Sequence, residues 1–163
     1  MEGKDFRERS AAIFLTKILT DRDPDYLDMR SPCGAGIGQL AYNFNGDVYT
    51  CDEGRMFSRL GDESFRLGNV KEDSYEDISG NEIVKALSVA SCLDNLAGCS
   101  QCVYKPYCGI CPLHNYAING NLFNKAEFPC EIRKAILDYL FIKLKDKKIK
   151  DIFYKWVTER SSE

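Results

Sequence analysis

The chain has 163 residues, 44% hydrophobic and 29% charged, which bounds it to one domain or one domain with appendages and excludes disordered and collagen-like classes. Its net charge of −3 argues against a nucleic-acid binder, because phosphate contacts want a basic surface. No apolar run approaches the length of a membrane span, and the first apolar stretch is short and flanked by charge on both sides, so neither a spanning helix nor a signal peptide is expected and the chain reads as cytoplasmic.

Phe6 to Thr20 carries Ala11, Phe14, Leu15, Ile18 and Leu19 at helical spacing and predicts a helix. Asp5 with Glu8 resembles a capping pair at its start, and Asp23-Pro24 closes it. From Ile37 the pattern changes to QLAYNFNGDVYTC, where aromatic and aliphatic residues alternate with polar ones. Asn45-Gly46 at its centre predicts a β-hairpin with a type I′ turn. FRLGNV, residues 65–70, predicts a short strand, and helices are expected at 74–79 and 81–91, the second with Ile83, Leu87 and Ala90 on one side. Residues 98–112 show no periodicity, so something other than a core must hold them. Near the C-terminus Ile132, Ile136, Leu140 and Leu144 recur every fourth residue, and Ile149, Ile152, Phe153 and Trp156 continue the stripe after a lysine-rich bend. Residues 131–163 hold 9 basic and 6 acidic residues, which also fits a calmodulin-like or membrane-surface face, but such a stripe more often packs on its own chain or a neighbouring domain.

Against this ordinary composition stand eight cysteines beside a single histidine, His114. Without an export signal the expected compartment is reducing, where structural disulfides are rare, so metal is the leading reading. The positions are Cys33, Cys51, Cys92, Cys99, Cys102, Cys108, Cys111 and Cys130. Cys99-x2-Cys102 and Cys108-x2-Cys111 are two C-x2-C knuckles separated by five residues. A knuckle of this kind aims two sulfurs at one centre and turns backbone N–H groups toward them. Eight thiolates divide into two four-thiolate sites with nothing left over. Spacing alone does not choose between zinc and iron–sulfur, nor does it decide whether the knuckles share one metal or contribute to interleaved sites. Because the cysteines already complete two sites, His114 reads as a surface or outer-sphere residue.

Cys33, then Gly46-x4-Cys51, then Cys99-x2-Cys102-x5-Cys108, Cys111 and a remote Cys130 resemble the SPASM domain, the auxiliary-cluster module found in many radical S-adenosylmethionine (SAM) peptide-modifying enzymes. The wording CGAGIGQLAYNFNGDVYTCDEGRM followed by FRLGNV resembles the peptide maturases of His-Xaa-Ser-type systems. The resemblance implies two [4Fe–4S] clusters with interleaved ligands. Cys33, Cys51 and Cys111 would bind the first, with Cys92 as fourth ligand, or with an iron left open to substrate. Cys99, Cys102, Cys108 and Cys130 would bind the second. One departure stands out: the family usually spaces its last knuckle as C-x3-C, whereas Cys108 and Cys111 are separated by two residues.

The fold class expected is α+β: a small hairpin and short-strand core, cysteine-rich cluster-binding loops and flanking helices. Residues 1–30 read as a linker helix from a catalytic barrel the chain does not contain, 31–130 as the two-cluster domain and 131–163 as a C-terminal amphipathic helix. Gly98 and Gly109 beside the ligands are expected to permit close backbone approach, and Tyr104, Tyr107 and Tyr116 to pack rather than relay electrons. Asp52-Glu53 read as a solvated turn or a substrate contact. No C-x3-C-x2-C triplet is present, so this chain alone is not expected to cleave SAM. The partners expected are a radical SAM barrel and a precursor peptide. Two zinc ions in a protein-interaction module, or a standalone ferredoxin-type carrier, are the alternative readings.

Overall fold

The alternating segment forms its hairpin, in a computed structural model that describes residues 6–158. Strand β1 (Ala41–Tyr42) pairs antiparallel with β2 (Asp47–Tyr49), Ala41 opposite Tyr49 and Tyr42 opposite Val48. Strand β3 (Arg66–Asn69) adds to the other edge of β2, again antiparallel, with Val48 opposite Gly68. The turn differs from the expected type I′. The Asn43 N–H donates to Asp47 O at 2.9 Å and the Gly46 N–H to Asn43 O at 3.0 Å. Gly46 alone in this loop takes a positive φ, 97°, while Asn45 does not. The connection is therefore a three-residue loop closed by a glycine bulge. Asn45 follows a local alternative: its Oδ1 accepts from the Asp47 N–H at 3.2 Å, an Asx turn that keeps its backbone out of the left-handed region.

Two units are distinguished by their internal packing: residues 27–102 with 109–126, and the N-terminal segment through Tyr26 with 103–108 and the chain from Glu127 onward. The larger unit carries the sheet. Helix α2 (Asp52–Arg59) leaves β2 at Cys51. Ser74 and Asp77 form a reciprocal capping box at the start of α3 (Tyr75–Ser79), and the Asn81 side chain caps α4 (Glu82–Ser91). Helix α5 (Pro112–Asn119) ends at Gly120, left-handed at φ 66°. Val48, Leu67, Ile78 and Val84 form one buried cluster, joining the sheet to α3 and α4. Each such aliphatic side chain contributes about 1.5–3 kcal/mol by leaving water.

In the smaller unit the Glu8 carboxylate accepts from the backbone N–H groups of Ser10 and Ala11, capping α1 (Arg9–Leu19); the capping role expected of Asp5 lies outside the described residues. Helices α6 (Glu127–Lys143) and α7 (Lys147–Thr158) both pack on α1. The buried stripe differs from the expected one. Leu137 and Leu140 are buried on α6 and Phe153 and Val157 on α7, while Ile132 and Ile152 are exposed. The every-fourth-residue spacing drifts around a 3.6-residue helix, so the buried face keeps Leu140 and Phe153 of the expected stripe and adds Leu137 and Val157. Phe141 of α6 meets Tyr104 in a near-parallel stack, 6.3 Å between centroids, and Tyr107 edge-on at 5.3 Å. These contacts hold the irregular 103–108 segment. Among the described residues no helix is long and apolar enough to cross a membrane.

Candidate metal centre

Cys33, Cys51 and Cys111 are 5%, 4% and 8% exposed and lie in one buried cluster with Ala35, Phe65, Leu87 and Leu113. Three cysteines remote in sequence thus share the core of the larger unit. Two of them occupy equivalent positions in the secondary structure. Cys51 is the N-cap of α2 and Cys111 the N-cap of α5, where orphan N–H groups and the positive end of the helix dipole face the capping side chain. The Gly54 N–H donates to Cys51 Sγ at 3.5 Å, and the Thr50 hydroxyl lies 3.8 Å from the same sulfur. At Cys111 the first-turn N–H groups of His114 and Leu113 favour the thiolate, though neither closes a cap hydrogen bond. Gly54 is required by space: a Cβ there would stand 2.7 Å from Thr50 Oγ1 and 3.0 Å from Phe65 Cβ.

Burial outweighs these N–H groups. It pushes both thiols up to about 12, so that without a compensating cation they stay protonated. Nearby carboxylates act in the same direction: Glu53 on both Cys51 and Cys111, and Asp28 on Cys111.

Cys33 is tied to the end of α4. Its N–H donates to the fully buried Ser91 Oγ at 3.0 Å, and the Leu93 N–H donates back to Ser31 Oγ at 2.9 Å. Cys92, half-buried, lies in the chain between those two bonds. Gly109 packs against the backbone of Asp28 and Met29 so closely that a Cβ would collide with the Asp28 carbonyl and reach 2.6 Å from Met29 Cα. The close approach at Gly109 is thus to the Asp28–Met29 backbone. At Gly98 a Cβ would meet nothing within 4 Å, and a φ of 75° is what favours glycine there.

The first knuckle is a closed turn, with the Cys102 N–H donating to Cys99 O at 3.0 Å. The second is divided, since Cys108 belongs to the smaller unit and Cys111 to the larger. In the smaller unit the half-buried Lys17 ammonium donates to Cys108 O at 3.2 Å, placing a cation beside that cysteine. Cys130 lies in the first half of α6. All eight cysteines are free of disulfides, and among the described residues no three His, Cys, Asp or Glu side chains are drawn together as a ready-made cage. His114 is exposed on α5. Tyr116 packs edge-on against Phe57 and Phe65 and donates to Asp62 at 2.9 Å. Asp52 pairs with Arg55 at 2.9 Å on the surface, while Glu53 lines a cavity with Cys111.

Helices α2 and α5 were missed by hydrophobic periodicity, yet their start signals are in the sequence. Asp52-Glu53 after Cys51 suit a helical first turn, and Pro112 after Cys111 suits the first helical position.

Residues 33–112 match the family model of SPASM, an iron–sulfur cluster-binding domain. No curated protein matches the chain. The donors fit the group the family implies: three soft sulfur ligands in one apolar core, two of them at helix starts where N–H groups favour thiolate.

Proposed function

We propose that this chain is the auxiliary-cluster part of a radical SAM enzyme that modifies a ribosomally made peptide. The observation that carries the reading is the shared burial of Cys33, Cys51 and Cys111 in one core cluster inside the segment that matches the cluster-binding family. In this reading those three cysteines hold one [4Fe–4S] cluster, with Cys92 as the fourth ligand. The two hydrogen bonds that bracket Cys92 and anchor Cys33 support that choice. Cys99, Cys102, Cys108 and Cys130 hold the second. When bound, such clusters supply one-electron chemistry at potentials set by thiolate charge, hydrogen bonds and exposure.

The chain's own residues do the rest. Ser91 fixes the Cys33 backbone, Gly54 and the first turn of α5 favour thiolate at Cys51 and Cys111, and the apolar walls of Phe65, Leu87 and Leu113 keep water from the sulfurs. The partners in this reading are a SAM-binding barrel, on the same full-length chain or on a separate subunit, and the precursor peptide, in the cytoplasm. The test is metal analysis of anaerobically purified protein, with about eight irons per chain and broad visible absorbance expected from two four-iron clusters. Two equivalents of zinc and no iron would replace electron transfer by a structural zinc module. Co-purification with a C-x3-C-x2-C barrel separates an enzyme part from a standalone ferredoxin.

A further inference from the structure

Thr50 stands between the end of β2 and Cys51 and is fully buried. Its backbone is held on both sides: the Gly36 N–H donates to Thr50 O at 2.7 Å, and the Thr50 N–H donates to Phe65 O at 3.2 Å. The branch at its Cβ leaves the side chain few rotamers. The hydroxyl oxygen is boxed in as well, only 2.7 Å from where a Cβ on Gly54 would stand. Among the described residues its one hydrogen-bond partner is Cys51 Sγ, at 3.8 Å.

A neutral thiol is a weak acceptor, and a hydroxyl buried against one costs free energy that a valine of the same shape would not. The arrangement is accounted for when Cys51 is a thiolate, because a charged sulfur is a strong acceptor. The Gly54 N–H reaches the same sulfur at 3.5 Å, so Cys51 has two donors, whereas at Cys111, the N-cap of α5, no side-chain cap hydrogen bond closes. The Gly54 donor comes with any helix start at this place; the hydroxyl is particular to Thr50.

We propose that the Thr50 hydroxyl donates to the Cys51 thiolate and thereby raises the reduction potential of the first cluster. The inference rests on the assignment of Cys51 to a [4Fe–4S] cluster, and Thr50 acts through that sulfur without touching iron or substrate. An added electron increases the negative charge on the sulfur ligands, so a donor fixed in place stabilises the reduced form more than the oxidised one.

The test is a mediated redox titration of the anaerobic, iron-loaded full chain, followed by visible absorbance and electron paramagnetic resonance, with one reduction step expected for each cluster. Thr50→Val removes the hydroxyl at constant shape. It should make reduction of one cluster about tenfold less favourable, a drop of about 59 mV for one electron, and leave the other cluster within about twofold. Thr50→Ala removes the same hydroxyl with a smaller side chain and should move the same step in the same direction, so the result does not hang on how valine packs. Thr50→Ser restores the donor and should stay within about twofold of the parent. A step unmoved in both hydroxyl-free variants, an equal drop in Thr50→Ser, or a shift common to both clusters overturns the proposal. Iron content of the same samples reads the cluster assignment separately. Full iron with unmoved potentials defeats the Thr50 hydrogen bond alone, whereas zinc without iron defeats the assignment and the proposal with it.

Discussion

Replacing Gly109 by alanine tests the tightest joint of the centre. Gly109 does not have a positive φ, so alanine meets no backbone conformational penalty there, and the cost is purely steric. The new Cβ would press on the Asp28 carbonyl, on Asp28 C at 2.7 Å and on Met29 Cα at 2.6 Å. These are backbone atoms, unable to swing away as a side chain would, which puts the cost near the upper end of the ~1–3 kcal/mol typical of overpacking. Alanine also stiffens the unfolded chain, worth about 0.4–1 kcal/mol in the other direction. The net destabilisation is then about 2 kcal/mol, a shift of roughly 1 M in the urea midpoint for a slope near 2 kcal/mol/M. Because Cys111 lies two residues further on, the variant should also lose iron to a chelator faster than the parent. Gly120→Ala is the matched control. Its Cβ would meet nothing within 4 Å, but its φ is 66°, so it should cost about 1–2 kcal/mol from backbone strain and leave iron retention unchanged. The assay is anaerobic urea unfolding of the iron-loaded chain, followed by visible absorbance and fluorescence. A Gly109→Ala midpoint within about 0.2 M of the parent would refute the close approach.

Ser91→Ala removes the acceptor of the Cys33 N–H and leaves a buried donor unpaired, which should cost about 1–3 kcal/mol in urea unfolding and make iron more labile to chelators. Cys92→Ala should lower iron content and alter the spectrum of one cluster; full iron with unchanged spectra would make Cys92 a mere half-buried thiol. Hydrogen bonds from Arg66 first, then Asn69 and Asn45, hold the Asp47 carboxyl below its ordinary 3.8. A depressed folded-state pKa means that this stabilisation is complete above the unfolded value and is lost as pH falls from about 4 through the folded value. Unfolding midpoints of Asp47→Asn should therefore depend less on pH below about 4 than those of the parent.

The larger unit's elements were readable where periodicity and caps agreed. Asn81 and Ser74 start α4 and α3 where the pattern placed them, and the alternation of residues 37–51 gave the hairpin. Its turn was misread because Asn-Gly favours two positive-φ residues in isolation, whereas the Asn45 side chain found a bond to the Asp47 N–H first. Helices α2 and α5 carry too few apolar residues in their eight-residue spans to show a period, so their caps were the only signal. The cysteine pattern pointed to a metal centre; spacing alone left open which sulfurs share a core, and only the family resemblance implied that Cys33, Cys51 and Cys111 belong together. That depends on the contacts of Ser91, Gly54 and Gly109, each far in sequence from some of the cysteines it helps to place.

The short second knuckle finds a physical account in the same residues. Two intervening residues permit a single turn that would keep Cys108 and Cys111 on one metal. Two constraints draw Cys111 instead toward Cys33 and Cys51. Pro112 starts α5 directly after Cys111, fixing that cysteine as an N-cap, and Gly109 is pinned to the backbone of Asp28 and Met29. Cys108, in the smaller unit, has its carbonyl held by Lys17. Burial raises the Cys111 thiol in the same core that raises Cys51, so both become good ligands only when a metal supplies the opposing charge. Cluster binding and consolidation of this core are then one event, as is usual where ligands must lose protons to bind. The missing residue of the knuckle is offset by a helix start and a backbone contact, which support the assignment of Cys111 to the first cluster despite the shorter spacing.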